Sequence, residues 1–504
     1  MDLQKRLEKF LRNRTNLVFV LVLLFALGIR IYYFTQTFDQ PLWWDEADYV
    51  SMSKSLVGGA NYPFTIQRPP LFPVLGALFY FIGGGNETFV RFFLVLLPSL
   101  GVVIMTYVLG RSLYNRKVGL VASFIMSVFW VLLFNTFRLH TDALALLFIM
   151  LSMYFLWQYY IKFKDTNKLW LVGLFLSLAF MTRIVYGLFI PLFAIFILSV
   201  KGTTVFKEKW LYVTGAVSFL AILPYLIWSK LHFDKFLAFS QGYTSYGSKA
   251  EALPFAWGLF DYFKLYTGDV LFILFLLGLG LALMELVLGF DLIRKRRRIK
   301  AHFLLLLTII IPTVYFAFIE RSAGEPRWLI MVAPAMFYFI GLILIKGYVM
   351  IRKYQKYVGL SVVLILLYFG ASHELKTADE IIDARKDSYL PVKLSGLWIK
   401  ENSQEGDTVL SHSVPQTAYY SERETRGVPG NAENLKIAIE EIQPRYLIIS
   451  VFEPHSEESL QYPQTYINSL VPVQGYFADD AQTQPILVIY EFVNYDFLEV
   501  SSNV

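Results

Sequence analysis

The sequence predicts an all-α polytopic membrane protein of about eleven transmembrane helices plus interfacial helices, with a small C-terminal α/β domain outside the cytoplasm. Three observations predict it. The 504 residues are 56% hydrophobic and 17% aromatic, with a mean hydropathy of +0.50. Only 17% are charged, against about 25% in soluble domains. Up to residue 371 the apolar residues gather in long runs; beyond it charged residues become frequent and the runs stop. A soluble chain of this length needs a far larger polar surface, and disorder, a collagen repeat and a coiled coil are excluded with it. The absence of cysteine excludes disulfides, Cys-zinc sites and thiol catalysis. The net charge of +6 lies in short clusters between apolar segments, so the expected partner is the lipid bilayer and not nucleic acid.

A membrane helix needs about 20 mostly apolar residues. Such runs lie near 16–34, 90–110, 118–137, 142–161, 210–230, 269–290, 301–319, 328–346 and 355–371. The stretch 169–200 is too long for one span and is interrupted at Thr182-Arg183, which makes two short spans meeting at a break. The run 71–85 is short and broken by Pro73 and Gly83-Gly84-Gly85. The positive-inside rule settles its treatment. With a cytoplasmic N-terminus and 71–85 left in the interface, the inside loops receive Lys5, Arg6, Lys9 and Arg12, then Arg111, Arg116 and Lys117, and the run from Arg294 to Lys300. Letting 71–85 cross would put the later basic loops outside. Eleven spans carry the tail to the side opposite the N-terminus. The first span is too long, and lacks the small-residue cleavage site, for a cleavable signal.

This gives a membrane domain over 1–371 and a soluble domain over 372–504. In the tail, helical pattern at 391–401 and 433–442 alternates with β-rich runs at Thr408–Leu410, Tyr446–Ser450 and Ile486–Phe492. The strand at 446–450 is nearly all apolar, as a strand covered on both faces should be. No phosphate loop, GxGxxG or metal-spaced histidine cluster appears there, and the tail reads as a stabilising cap before it reads as a site for acceptor docking or partner contact.

Charges at the outer helix ends carry the functional signal, because an ionisable group at membrane depth costs about 2.5–3.5 kcal/mol and usually faces a cavity. Trp43-Trp44-Asp45-Glu46-Ala47-Asp48-Tyr49 follows the first span. Its acids suit a helix N-terminus or a carboxylate base acting on a hydroxyl. Arg68, aimed by Pro69-Pro70, either snorkels to headgroups or binds phosphate. His140 and Asp142 open the fourth span; Asp142 reads as a first-turn acid or a functional carboxylate, and two residues are a thin basis for a metal. Arg183 sits in apolar sequence with no charge nearby. It has to find an anion in space or reach outward. Glu325 and Arg327 lie between the ninth and tenth spans.

The order of these motifs resembles the C-type glycosyltransferase (GT-C) superfamily, and most of all the branch of protein O-mannosyltransferases and the lipid A aminoarabinose transferase. The resemblance runs through Asp45-Glu46-Ala47-Asp48-Tyr49, Gly58-Gly59, Arg68-Pro69-Pro70-Leu71, Val90-Arg91, Gly110-Arg111-Ser112-Leu113-Tyr114, Thr141-Asp142-Ala143, Leu178-Ala179-Phe180-Met181-Thr182-Arg183 and Glu325-Pro326-Arg327-Trp328. It is strongest between residues 40 and 200 or so. It implies a GT-C-like membrane fold and an inverting transfer of a hexosyl or pentosyl group from a polyprenyl-phosphate (dolichyl-phosphate-like) sugar to a hydroxyl of a protein, glycan or lipid, on the outer face of a prokaryotic plasma membrane. It implies Asp45 as base or acceptor-positioning carboxylate with Glu46 beside it. Arg68, Arg183 and Arg327 fall to the carrier phosphate, and Asp48, Tyr49, His140, Asp142 and Glu325 to the substrate. His140 departs from the family pattern, where the position is often apolar. No cofactor is required and no metal is expected; were a divalent ion present, Asp45, His140 and Asp142 are the residues that would hold it. The rival class is a flippase of polyprenyl-linked sugars, which should show internal repeats; none is seen in the sequence.

Overall fold

The computed structural model describes residues 13–58, 68–238, 257–321 and 324–495. Lys5, Arg6, Lys9, Arg12 and Gly59 of the sequence reading lie outside them. The chain divides into two compact units. One holds Met1–Gln36, Ile66–Phe72 and Arg91–Asp383; the other holds Thr37–Thr65, Pro73–Val90 and Ala384–Val504. The compositional change at residue 372 falls inside helix Lys356–Arg385, and the sheet-bearing unit resumes at Ala384.

Among the described residues nine helices are long and apolar enough to cross a bilayer, beginning with Arg14–Gln36, Glu87–Leu113 and Asp142–Lys162. A pair of helices, Arg116–Val128 and Trp130–Thr136, bent by 53° at the break between them, is long and apolar enough for a further span when its halves are taken together. The apolar helix Thr166–Thr182 is shorter than these and ends at the expected break before Arg183. The chain is an integral membrane protein. Helix Leu71–Ile82 has 12 residues, about 18 Å of rise, well short of a hydrocarbon core of about 30 Å. Close helix contact rests on small residues, as lipid-embedded packing requires. A Cβ on Gly119 would come within 2.6 Å of the Tyr107 carbonyl.

The bend at 129 has a physical cause. Phe129 leaves the helical region (φ −57°, ψ 112°), which strands carbonyls on one side of the break and amides on the other. Buried Arg30 donates through Nη1 to the Ser127 carbonyl at 3.1 Å. Buried Glu374 accepts from the Trp130 amide at 3.0 Å. A guanidinium thus meets a free carbonyl at the C-terminal end of one half-helix, and a carboxyl group a free amide at the N-terminal end of the other.

In the second unit, five strands form a mixed sheet in the order β2-β1-β3-β5-β4: β1 (Thr408–Ser411), β2 (Glu424–Gly427), β3 (Tyr446–Ser450), β4 (Leu470–Phe477) and β5 (Pro485–Phe492). β2, β1 and β3 are parallel, whereas β5 runs antiparallel to β3 and to β4. The apolar strand β3 is covered on both faces. Tyr446 and Ile448 pack with Val392 and Ile399 of helix Leu390–Asn402, while Leu447 packs with Leu435 and Ile439 of helix Ala432–Ile442. β2 and β4 are edge strands without a legible apolar alternation. β2 is the polar tetrapeptide Glu-Thr-Arg-Gly, and β4 contains Pro472 beside a register shift, which an edge tolerates.

Candidate active site

In the first unit the loop after the bent pair carries the sequence-predicted His140 and Asp142. Asn135, in the last turn before this loop, donates through Nδ2 to the Val131 carbonyl at 2.7 Å, so its Oδ1 faces His140 Nδ1 at 2.8 Å as acceptor. The proton of that bond therefore sits on Nδ1. Asp142 opens helix Asp142–Phe155 and is 0% exposed. Arg183 stands in extended backbone (φ −153°, ψ 116°) between helix Trp170–Thr182 and the 3₁₀ turn Ile184–Leu188. Its Nη1 donates to Asp142 Oδ1 at 2.6 Å, and its side chain is 16% exposed. The anion that Arg183 required is this carboxylate, 41 positions away in sequence. Asp142 Oδ2 is buried and has no hydrogen-bond partner among the described residues.

Two buried phenols accompany the pair. Tyr186 and Tyr266 both lie within the electrostatic reach of Asp142 and Arg183. Burial, then the negative field of Asp142, holds the Tyr266 hydroxyl protonated well above the ordinary phenol range. That hydroxyl donates to the Pro326 carbonyl. Glu325 and Arg327 form a two-point ion pair, Nε to Oε2 at 2.7 Å and Nη2 to Oε1 at 3.2 Å, with Glu325 exposed. Arg68 is half-buried at the start of its segment. Sequence reasoning missed Asn135, Tyr186 and Tyr266. Each lies beside other polar or charged residues near a helix end, and nothing local distinguishes it from a membrane-interface residue.

In the second unit the acids of the Trp43–Tyr49 motif occupy the first turn of helix Trp44–Leu56. They are not equivalent. Glu46 is fully buried, and its Oε2 turns back to accept from the Trp43 amide at 2.7 Å, which caps the helix. Asp45 is half-buried. Asp48 and Tyr49 are buried one turn further on. Tyr419 and Tyr420 of helix Val414–Ser421 secure this segment. The Tyr420 hydroxyl accepts from the Leu42 amide at 2.9 Å, and the Tyr419 hydroxyl donates to Glu87 at 2.9 Å. Lys54 lies over the Tyr419 ring at 4.0 Å, where burial lowers its ammonium from the usual range against the pull of Glu422 and Glu87. Among the described residues no three His, Cys, Asp or Glu side chains are grouped so as to hold a metal ion.

Comparison with known proteins meets this geometry at the level of the whole chain. The archaeal oligosaccharyltransferase AglB of Archaeoglobus fulgidus, solved with an inhibitory peptide and a dolichol-phosphate, superposes with a TM-score of 0.64 at 12% identity, over 95% of this chain and 74% of that one. ArnT of Cupriavidus metallidurans bound to undecaprenyl phosphate superposes with a TM-score of 0.63 at 12% identity, over 95% and 98%. This chain has the GT-C fold. The fold that the resemblance implies is thereby borne out. A family model described as dolichyl-phosphate-mannose-protein mannosyltransferase matches residues 67–228, which hold Arg68, His140, Asp142 and Arg183. An uncharacterised protein of Aquifex aeolicus is 27% identical over 183 residues, 34% of this chain and 36% of that relative's length.

Proposed function

We propose that this chain is a polyprenyl-phosphate-sugar-dependent glycosyltransferase that moves a hexosyl or pentosyl group, with inversion, to a hydroxyl acceptor on the extracytoplasmic face. One observation carries the reading: 95% of the chain shares its fold with two proteins solved with polyprenyl phosphates bound. The placement of basic residues on the loops assigned to the inside gives the orientation, with the N-terminus in the cytoplasm and the tail outside.

The chemistry follows from the side chains. The bond between anomeric carbon and phosphate oxygen breaks, and its electron pair stays on the carrier phosphate. Charge grows there, and a fixed guanidinium in a dry site stabilises it. Arg183 suits this role because Asp142 fixes its position; the carboxylate acts by placing the guanidinium, and Arg68 and Arg327 add positive charge. Asp45 takes the proton of the acceptor hydroxyl as that oxygen attacks from the opposite face of the sugar. Of the two adjacent acids it is the one suited to the task, because Glu46 is committed to its helix cap. Asp45→Asn is expected to lower transfer by about 10²–10⁴-fold with expression unchanged. Near-normal turnover in that variant removes Asp45 as the base. Arg183→Ala should weaken donor binding or slow turnover, and wild-type kinetics would reduce Arg183 to a structural residue. Movement of labelled carrier lipid between leaflets without acceptor would identify a flippase instead.

A further inference from the structure

The sheet of the second unit carries a polar site that the transfer chemistry leaves unused. From β1 the chain passes to β2 on one side, whereas β3 lies on the other. In open parallel sheets such a reversal leaves a crevice at the carboxyl ends of the two central strands, where ligands bind. Those ends are Ser411 and Ser450. Immediately there, Ser413 Oγ, Gln416 Oε1 and Ser450 Oγ are buried without a hydrogen-bond partner among the described residues. Buried polar groups are ordinarily paired, so two just past β1 and one at the end of β3, either side of His412, which bonds the Ser450 backbone, mark a place where water or ligand hydroxyls complete the bonding.

A carboxylate and an aromatic series adjoin this point. Glu453, three residues past β3, lies 3.5 Å from Gln416 Nε2 and accepts from the Tyr389 hydroxyl. Burial raises its carboxyl above the ordinary range against those two bonds. The rings of Phe452 and Tyr389 are 5.4 Å apart, and those of Tyr389 and Trp43 are 6.4 Å apart. All three are half-buried, and Trp43 directly precedes the helix that bears Asp45.

We propose that the crevice between β1 and β3, with the Phe452–Tyr389–Trp43 series, is a saccharide-binding subsite that receives the terminal sugar of a glycan acceptor. The inference rests on the transferase reading and narrows its acceptor class. Ring faces stack on the C–H faces of a pyranose, while a carboxylate and an amide bond its hydroxyls. An extended peptide would instead add to an open sheet edge, and the edges here are β2 and β4, not the β1–β3 junction.

The test uses the full chain in lipid nanodiscs with chitobiose, cellobiose and maltose as probes, read by saturation-transfer NMR. At least one disaccharide should receive transfer at its ring C–H protons. Glu453→Gln should weaken that binding about tenfold, and Phe452→Leu about three- to tenfold. Native mass spectrometry with undecaprenyl phosphate runs alongside, and both variants should keep the carrier lipid. No transfer from any of the three sugars, binding untouched by both substitutions, or capture of a Ser/Thr peptide in place of the sugars overturns the subsite. Sugar binding without carrier binding in the wild type leaves the subsite standing and removes the transferase reading instead.

Discussion

Two arginine–carboxylate pairs in the first unit use the same chemistry under opposite conditions. Arg183 and Asp142 meet across 41 residues at 2.6 Å, with the carboxylate fully buried. Arg327 and Glu325 are two residues apart, and the acid is more than half exposed. In the first, the carboxylate is fully buried and depends on the guanidinium, so breaking the pair is costly. In the second, Arg327 is as buried as Arg183, at 13% exposed, but the carboxylate faces water, which replaces it cheaply. The sequence shows both as acids and arginines near helix ends; the burial of the carboxylate, not of the arginine, separates the two pairs.

The largest way to break this contrast is Asp142→Ala, expected to cost about 3–5 kcal/mol through loss of the buried ion pair. Thermal unfolding in nanodiscs reads it, and Asp142→Ala with Arg183→Ala together should be less damaging than the two losses summed. A strictly additive double variant would mean the pair is not coupled. Next comes Glu46→Ala, which strips the Trp43 amide of its buried acceptor and should cost about 1–3 kcal/mol; a melt unchanged from wild type would deny Glu46 its capping role.

A pair in the soluble sheet sharpens the comparison through pH. Although burial opposes it, hydrogen bonds from the Gln404 amide and Arg445 hold the Asp407 carboxyl below the ordinary aspartate value of 3.8. A depressed carboxylate contributes stability above its unfolded value, and loses it as pH falls through the folded one. The melting gap between wild type and Asp407→Asn should therefore be full at neutral pH and close below pH 3.8. A gap that persists into stronger acid would show that ionisation is not its source. The smallest effect belongs to Glu325→Ala, expected to change stability by less than about 1 kcal/mol, and a large loss there would erase the distinction drawn from burial.

Much of the fold was legible from residues alone. The expected strand Tyr446–Ser450 and the helix at 433–442 match their observed elements to within a residue, because apolar period and run length are local properties. The break at Thr182-Arg183 was legible for the same reason. β2 was not, since an exposed edge strand of Glu-Thr-Arg-Gly carries no apolar alternation. Of the candidate site, the acids in the first turn of helix Trp44–Leu56 followed from dipole chemistry, but the division of labour between Asp45 and Glu46 did not. Only the folded turn shows which carboxylate bends back to the backbone.

The sequence by itself determined that this chain spans a membrane many times, where its long apolar runs lie, and that a mixed helix–strand region follows them; each depends on residues within one or two turns of one another. Tertiary structure alone decided that Arg183 answers to Asp142, that Glu374 and Arg30 flank the break at Phe129, and that Phe452, Tyr389 and Trp43 line up. Those meetings join residues dozens to hundreds of positions apart, and no local periodicity records which distant partner a buried charge or ring will find.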